Sequence, residues 1–309
     1  MGKGSFTPSG LFVAMVTPMR PDESIDHDSL GRLSKHLAEQ DGVSALVTSA
    51  RVGEGPVQTV PEQLEVLRTT VAAAGDTQIV ASISPTTARE ALQMIENVAE
   101  AGADAVMIFP PLFFAWGAGV PEAVKTTFWQ DIDAGGPAIP LELFQVPIPA
   151  YWYKPETVVE IGQLDSVHAI KEASFDMQLF SATMEKLEGA GWPIQMLNGN
   201  DRFVAEGTLM GSAGALIGIS NVLPSQWAQI LSLGHDPVAA LAKQRELRPL
   251  QRLIFDEPIL DAVARCKVVL HHEGIIDHAT VRRPQLGLTD EQAAELIRGY
   301  EQVKADLSS

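Results

Sequence analysis

The sequence predicts an α/β protein, a (β/α)8 TIM barrel with a C-terminal helical extension, and three observations support this fold class. An amphipathic helix, a glycine-containing turn and a short apolar segment recur in that order, as in "VAEAGADAVMIFP". Eight such apolar segments occur, and their nearly continuous apolar character is typical of strands buried on both faces. Eight strands that alternate with helices over roughly 200–250 residues favour a closed barrel over a doubly wound sheet.

The predicted strands follow one another at regular spacing along the chain. They lie near residues 11–16, 44–49, 78–83, 104–109, 139–144, 167–171, 194–198 and 214–219. Helix starts stand between them, because Thr87–Glu90 has the pattern of a capping box and Pro61, Pro121 and Pro155 suit first-turn positions.

After about residue 222 the apolar strands stop, and a last helix is predicted to begin with a capping box at Thr289–Gln292. We therefore assign residues 1–222 to the barrel, which carries the catalytic site, and residues 223–309 to the helical extension. In barrels of this type the active site lies at the C-terminal ends of the strands, so the functional residues are sought there.

Composition excludes several classes of function. Acidic side chains number 39 against 22 basic ones, for a net charge of −17, so we expect no nucleic-acid partner and no membrane partner. The single cysteine, Cys266, excludes an internal disulfide, and no apolar run approaches the ~20 residues of a membrane-spanning helix. The N-terminus lacks the apolar segment of a secretion signal. These features predict a soluble cytoplasmic protein.

One lysine stands at the end of a predicted buried strand. Lys171, in "SVHAIKEAS", is the only lysine among the eight predicted strand ends. Burial lowers the pKa of an amine, and a neutral amine can attack a carbonyl carbon to form a Schiff base. A lysine at a strand end can instead extend to solvent or pair with a carboxylate, and position alone does not choose between these roles.

Motifs at four strand ends resemble those of one enzyme family. The segments "GLFVAMVTPM", "VGE", "VP" and "AIKEAS" stand in the order and spacing of the dihydrodipicolinate synthase/N-acetylneuraminate lyase superfamily, over nearly the whole chain. The resemblance implies a class I lyase that acts on a 2-oxo acid such as pyruvate, needs no cofactor and forms a homodimer or homotetramer. It makes Lys171 the Schiff-base lysine. The substrate contacts that we expect are Arg51, Val52, Gly53, Asn198, Gly199 and Ile219.

The sequence departs from the family pattern after the second strand. The usual Gly-Thr-Thr-Gly-Glu is replaced by Ala50–Glu54, so the threonines that relay a proton and help to bind the oxo acid's carboxylate are absent. Arg51 stands at one of these positions and can hold a substrate carboxylate through two hydrogen bonds. Glu54 is retained, and we interpret it as a residue that ties down the turn.

A second departure lies at the fifth strand, where Phe144 replaces the family's proton-relay tyrosine and has no phenol to act as acid or base. Pro149 stands where dihydrodipicolinate synthase has an arginine for its aldehyde substrate. Tyr151 or Tyr153, in the following loop, could reach back to the site.

Glu142 offers another candidate, because strand alternation directs it into the barrel with Phe144. We expect it either to pair with Arg51 or Lys171 or to serve as the replacement proton shuttle. The alternative is a solvated Glu142 that faces a helix.

The apolar loop "PPLFFAWGAGVPEAV" and Trp152 indicate either a bulky or aromatic substrate or a subunit interface. The histidines of "HHEGIIDH" form no i, i+4 pair, so no metal site is predicted. The sequence thus predicts a dihydrodipicolinate synthase-like Schiff-base lyase outside lysine biosynthesis. The alternatives are a non-catalytic barrel that binds an oxo acid, and a true 4-hydroxy-tetrahydrodipicolinate synthase with an altered proton relay.

Overall fold

Eight parallel strands form a closed barrel in which each strand pairs with its sequence neighbours and the eighth pairs with the first. The strands are β1 (Gly10–Ala14), β2 (Val43–Thr48), β3 (Gln78–Ile83), β4 (Ala105–Ile108), β5 (Leu141–Gln145), β6 (Val167–Glu172), β7 (Gln195–Asn198) and β8 (Gly214–Ile217). This computed structural model describes residues 6–117 and 119–308. Residues 1–5, on which part of the prediction about a secretion signal falls, lie outside the described residues.

Helices follow the strands around the barrel and continue beyond it. They are α1 (His27–Ala38), α2 (Val60–Ala73), α3 (Ala88–Glu100), α4 (Glu122–Ala134), α5 (Pro155–Gly162), α6 (Met177–Gly189), α7 (Val204–Leu209), α8 (Pro224–Ser232), α9 (Pro237–Phe255), α10 (Ala262–His272) and α11 (Asp290–Ser308). None of these helices is both long and apolar enough to cross a membrane.

The predicted (β/α)8 barrel is confirmed, and each predicted strand overlaps an observed one. The fifth strand begins at Leu141 rather than at residue 139, because Pro140 has no N–H to donate to the ladder. The capping box predicted for the last helix forms, since the N–H of Thr289 donates to the Gln292 side chain and the N–H of Gln292 donates to Thr289 Oγ1.

Alternation along each strand divides the apolar side chains into two sets. The outward set packs against the helices in one large core, and the inward set fills the barrel. The inward set includes Phe12, Ala14, Ala45, Val47, Val80, Ala105, Met107, Phe144, Leu197 and Leu216. The charged side chains that enter this apolar interior are therefore the exceptions that need a chemical explanation.

The helices after β8 have two different roles. Helix α8 packs against β1 and β2 and completes the helical layer of the barrel, whereas α9, α10 and α11 pack on one another. We propose that the barrel and the extension are the two parts of the chain, with the boundary after α8 rather than at residue 222.

A buried ion pair joins the two parts. Glu54, in the turn after β2, is paired with Lys267 of α10, and the backbone N–H of Arg282 donates to its other oxygen at 2.7 Å. Lys267 is 0% exposed and also donates to the carbonyl of Thr280. Glu54 therefore has the structural role that its motif indicated, and it fixes the turn against the extension.

We expect Lys267→Met to lower the free energy of unfolding by about 3–5 kcal/mol, because it leaves the buried carboxylate of Glu54 without its cation. Urea denaturation at neutral pH measures the change. Lys304→Met removes a partly exposed partner of Glu273 and is the matched control, with an expected loss of at most about 1 kcal/mol. Equal losses in the two variants would contradict the assigned role of the buried pair.

Candidate active site

A cavity of about 540 Å³ opens at the C-terminal ends of the barrel strands. Phe144, Lys171 and Gly218 line it from the ends of β5, β6 and β8. Phe255 and Val263 of the C-terminal extension form a further wall. The barrel and the extension thus enclose a space of ligand size at the strand ends where the active sites of such barrels lie.

Lys171 lines this cavity from the end of β6. The residue is 7% exposed, and its Nζ lies 4.4 Å from the centroid of the Phe144 ring. Within the described chain, no hydrogen bond or ion pair holds the amine. Burial lowers the pKa of Lys171 to about 8, and the carboxylates of Asp201 and Glu142 oppose part of this shift. Neither alternative, an amine extended to solvent or one in an ion pair, describes this lysine.

Gly199 keeps space open beside this lysine. A Cβ at position 199 would lie 2.6 Å from the Cβ of Ala173 and 3.1 Å from the Cγ of Lys171. The side chain of any other residue would therefore displace Lys171 or its strand. Gly199 lines the cavity, and because it has no side chain it leaves room for that of Lys171.

Glu142 lies inside the barrel, two register positions deeper along the strands than Lys171. Its Cα pairs in register with Ala169, whereas Phe144 pairs with Lys171. It is 0% exposed, and neither carboxylate oxygen has a hydrogen-bond partner among residues 6–117 and 119–308. Burial raises the pKa of Glu142 to about 8, and the charge of Lys171 acts in the opposite direction. The prediction of a solvated Glu142 is wrong, and no ion pair within 4 Å joins it to Arg51 or Lys171.

Asp201 is a site residue that the sequence argument missed. It lines the cavity, and its Oδ1 accepts hydrogen bonds of 2.8 Å from the N–H groups of Gly218 and Ile219. Burial raises the pKa of Asp201 to about 6, while these hydrogen bonds and the charge of Lys171 lower it. Its position directly after "NGN", at the end of β7, was the available signal.

The turn after β2 contributes two of the predicted contacts. Arg51 and Val52 both line the cavity, and Arg51 is exposed at its mouth. The guanidinium of Arg51 forms no ion pair with any described residue. The backbone N–H groups of Arg51 and Val52 donate to no acceptor in the described part of the protein, so the turn presents unused donors beside Lys171.

Three predicted substrate contacts lie outside the cavity wall. The carbonyl of Gly53 accepts from Thr17 and Gln58, and a Cβ at this glycine would lie 2.8 Å from the carbonyl oxygen of Met15. The side-chain amide of Asn198 donates a hydrogen bond to the carbonyl of Phe203 and accepts one from the N–H of Asn200. Ile219 is fully buried. These contacts hold the surrounding loops in place, and the substrate contacts of Gly53, Asn198 and Ile219 stay predictions.

The structure separates the two tyrosines after β5. Tyr151 lines the cavity. Tyr153 is 1% exposed and its hydroxyl accepts from Trp129 Nε1 at 3.2 Å, so it belongs to the core. Phe144 packs edge to face against Phe109, with ring centroids 4.7 Å apart, and no hydroxyl stands at the relay position.

The exposed side chains of the apolar loop after β4 lie outside the cavity wall, to which this loop contributes Pro110. Leu112, Phe113 and Trp116 are 72%, 59% and 75% exposed, and none of them lines the cavity. Trp152 donates its indole N–H to the carbonyl of Val146 and also lies outside the wall. The substrate role is therefore wrong for these side chains, although other apolar residues line the cavity.

Three side chains that could hold a metal ion lie close together on the surface of the extension. His272, Glu273 and Glu301 are close enough to share an ion, but Glu273 already accepts from Lys304 and Glu301 from His272. This cluster lies on helices α10 and α11, and its residues do not line the cavity.

A (β/α)8 barrel with a buried, unpaired lysine at the end of β6 defines a class of Schiff-base lyases. The family model described as "Dihydrodipicolinate synthetase family" matches residues 7–303. The chain belongs to this family, and it is a lyase.

A named relative supports this assignment, and solved structures share the fold. The 4-hydroxy-tetrahydrodipicolinate synthase of Nitrosococcus oceani is 31% identical over 297 residues, which cover 94% of this chain and 96% of that protein. A dihydrodipicolinate synthase structure from Thermotoga maritima has a TM-score of 0.86 at 22% identity, and covers 96% of this chain and 98% of its own. One from Acinetobacter baumannii, solved with pyruvate, has a TM-score of 0.83 at 22% identity, with 96% and 99% covered.

Glu142 makes the stability of the protein depend on pH. Because its pKa is about 8 in the fold and near 4.5 in the unfolded chain, the folded state binds more protons between these values, and stability falls as the pH rises through them. We expect the free energy of unfolding of the wild type, relative to Glu142→Gln, to fall between pH 5 and pH 8 by up to about 1.4 kcal/mol per pH unit.

Denaturant titrations at several pH values measure this difference. Asp201 acts in the same direction at lower pH and is shared by the two proteins. Lys171 acts in the opposite direction above pH 8 in the wild type, and its contribution begins at a lower pH in Glu142→Gln, because the carboxylate that raises its pKa is gone. Ser82→Ala removes another buried polar group without a charge and should leave the pH profile of the wild type unchanged. A difference that stays constant between pH 5 and pH 8 would show that Glu142 ionises at its ordinary pKa.

Proposed function

We propose that the protein is a Schiff-base lyase that acts on a 2-oxo acid such as pyruvate, with Lys171 as the nucleophile. The observation that carries the proposal is the buried, unpaired amine of Lys171 in a cavity of ligand size. The neutral amine attacks the ketone carbon, and loss of water gives an iminium that withdraws electrons from the neighbouring carbon. A carbon–carbon bond or a leaving group at that carbon can then be formed or broken without a cofactor.

The turn after β2 is the proposed site for the carboxylate of the oxo acid. The N–H groups of Arg51 and Val52 have no acceptor within the described chain, and backbone donors of this kind bind anions well. The guanidinium of Arg51 adds a positive charge at the mouth of the cavity. The carboxylate of Asp201 accepts hydrogen bonds from the N–H groups of Gly218 and Ile219, and these bonds hold the loop after β8 in place.

The second reactant is proposed to be an apolar aldehyde, which places the protein outside lysine biosynthesis. The remaining cavity wall is mainly apolar and includes Phe109, Phe175, Phe255, Ile259 and Val263. Pro149 stands where the family's arginine would bind a second carboxylate, and it does not line the cavity. In the condensation, the iminium first loses a proton from the neighbouring carbon and becomes an enamine. The enamine carbon bonds to the aldehyde carbon, the alkoxide takes up a proton, and hydrolysis of the resulting iminium frees Lys171.

Two alternatives remain to be tested against this proposal. The names of the relatives favour a 4-hydroxy-tetrahydrodipicolinate synthase, for which another group must replace the hydroxyl absent from Phe144. A non-catalytic barrel that binds an oxo acid would also keep Lys171 and the turn after β2.

We also propose that copies of the chain associate into a dimer or tetramer, in the cytoplasm. Leu112, Phe113 and Trp116 form an exposed apolar surface, with Ile148 exposed on the following loop. Exposed apolar surfaces of this kind are typical of subunit contacts.

Reduction of the protein in the presence of pyruvate tests the nucleophile. We expect sodium borohydride to fix one pyruvate unit on Lys171, detected by intact mass and peptide mapping, because the lowered pKa of Lys171 leaves a neutral fraction near pH 8. Lys171→Arg should give no adduct, whereas Lys154→Arg, at an exposed position, should react like the wild type. An adduct that persists in Lys171→Arg would refute the assignment.

A panel of aldehydes tests the second reactant. With pyruvate as donor, we expect benzaldehyde to react at least about tenfold faster than aspartate 4-semialdehyde, because burial of an apolar ring contributes about 1.5–3 kcal/mol. Product formation followed by chromatography and mass spectrometry gives kcat/KM for each aldehyde.

Phe255→Ala should reduce kcat/KM for benzaldehyde and leave that for acetaldehyde nearly unchanged, since only the larger aldehyde reaches the wall. The reverse preference would identify a 4-hydroxy-tetrahydrodipicolinate synthase. A Lys171 adduct without turnover of any aldehyde would favour the binding protein.

A further inference from the structure

Two polar side chains in the barrel interior have no hydrogen-bond partner in the described ranges, the hydroxyl of Ser82 and the carboxyl group of Glu142. Ser82 pairs in register with Met107, and Met107 pairs with Glu142, so the three residues form one row across β3, β4 and β5. A carboxyl group in such apolar surroundings is costly when nothing pairs with it. Packing therefore does not account for Glu142, because an apolar side chain of similar size would be more stable there.

Lys171 is the charged group whose field acts on Glu142. The two side chains come from hydrogen-bonded strands, and the Cα of Glu142 pairs with that of Ala169, two residues before Lys171. Burial raises the pKa of Glu142 and lowers that of Lys171, in both cases to about 8. Burial disfavours the charged form of both groups, so transfer of a proton from the ammonium group to the carboxylate removes two buried charges.

We propose that Glu142 exchanges protons with Lys171 while the Schiff base forms and then acts as the counter-ion of the iminium. This inference rests on the proposed function, because it concerns the formation of the Lys171 adduct. The protonated Lys171 gives one proton to the Glu142 carboxylate, and the resulting amine attacks the ketone carbon of the oxo acid.

Two protons then leave with the former carbonyl oxygen as water, both by way of the nitrogen: one is a hydrogen of the attacking amine, and the other is the proton that Glu142 returns to the nitrogen. The nitrogen keeps one hydrogen in the iminium, and Glu142 ends as the carboxylate that balances the positive charge. Hydrolysis reverses these transfers, so Glu142 returns to its starting state after each turnover. Glu142 acts from beneath the cavity, because it does not itself line the cavity wall.

Two other charged groups act on Lys171, namely Asp201 and Arg51. Asp201 already accepts two backbone hydrogen bonds that stabilise its carboxylate, whereas the Glu142 carboxyl group has no hydrogen-bond partner among the described residues. Arg51 keeps its proton at any pH of interest and cannot accept another. Glu142 is therefore the described group best matched to take the proton of Lys171.

The test measures how fast pyruvate forms an adduct on Lys171, trapped with cyanoborohydride and followed by intact mass between pH 6 and pH 10. In Glu142→Gln we expect the rate to fall about 10²-fold, the usual contribution of an acid–base group. The apparent pKa of Lys171, taken from the pH profile, should fall as well, because the carboxylate that raises it is gone. A lower pKa alone would speed the attack at neutral pH, so a slower reaction together with a lower pKa identifies proton transfer.

Glu142→Asp keeps a carboxyl group and should recover about tenfold of the lost rate, since the proton can still move. Ser82→Ala, the matched control in the same row, should react within about twofold of the wild type. Circular dichroism and thermal melting verify the fold, and Glu142→Gln should melt at or above the wild-type temperature.

A Glu142→Gln rate equal to or above that of the wild type overturns the inference, and so does an Asp variant as slow as the Gln variant. Failure of the wild type to form any adduct overturns the proposed function, and the inference with it. An adduct in the wild type whose rate is independent of Glu142 overturns the inference alone.

Discussion

Desolvation inside the barrel controls the protonation of the active site, because Lys171, Glu142 and Asp201 are all removed from water. Burial is the largest influence on each pKa, and it lowers that of the amine and raises those of the two acids. The pKa values of the three groups are thereby brought toward neutral pH. The small and apolar side chains that fill the barrel produce this effect.

The C-terminal extension contributes to this desolvation, because it forms part of the cavity wall. Phe255 and Val263 form part of the cavity wall, although they are far from the barrel strands in sequence. The ion pair of Glu54 and Lys267 holds the turn after β2 against the same extension. Since Arg51 follows β2 in that turn, the position of the proposed carboxylate site depends on a contact between the two parts of the chain.

Local sequence patterns predicted the elements and side-chain directions that are determined within a few residues. The strands, the position of Lys171 and the inward direction of Glu142 all follow from periodicity within a few residues. Phe255 and Val263 were missed because they reach the cavity through contacts between distant segments, whereas Asp201 was missed although its position at the end of β7 was a local signal. Local patterns left open whether the loop that contains Trp116 contacts a substrate or another subunit, because apolar composition alone does not tell a cavity wall from an exposed surface.

The replacement of a tyrosine by Phe144 changes what the site can do with charge. The ring of Phe144 faces the amine of Lys171 at 4.4 Å, a distance at which an aromatic face attracts a cation. It can therefore stabilise an ammonium or iminium ion, but it cannot deliver or remove a proton. Any reaction at Lys171 needs an acid–base group elsewhere, and Glu142 is a fully buried carboxyl group subject to the field of the same lysine. A base beneath the cavity also leaves the upper walls free to be apolar, which is consistent with an apolar second reactant.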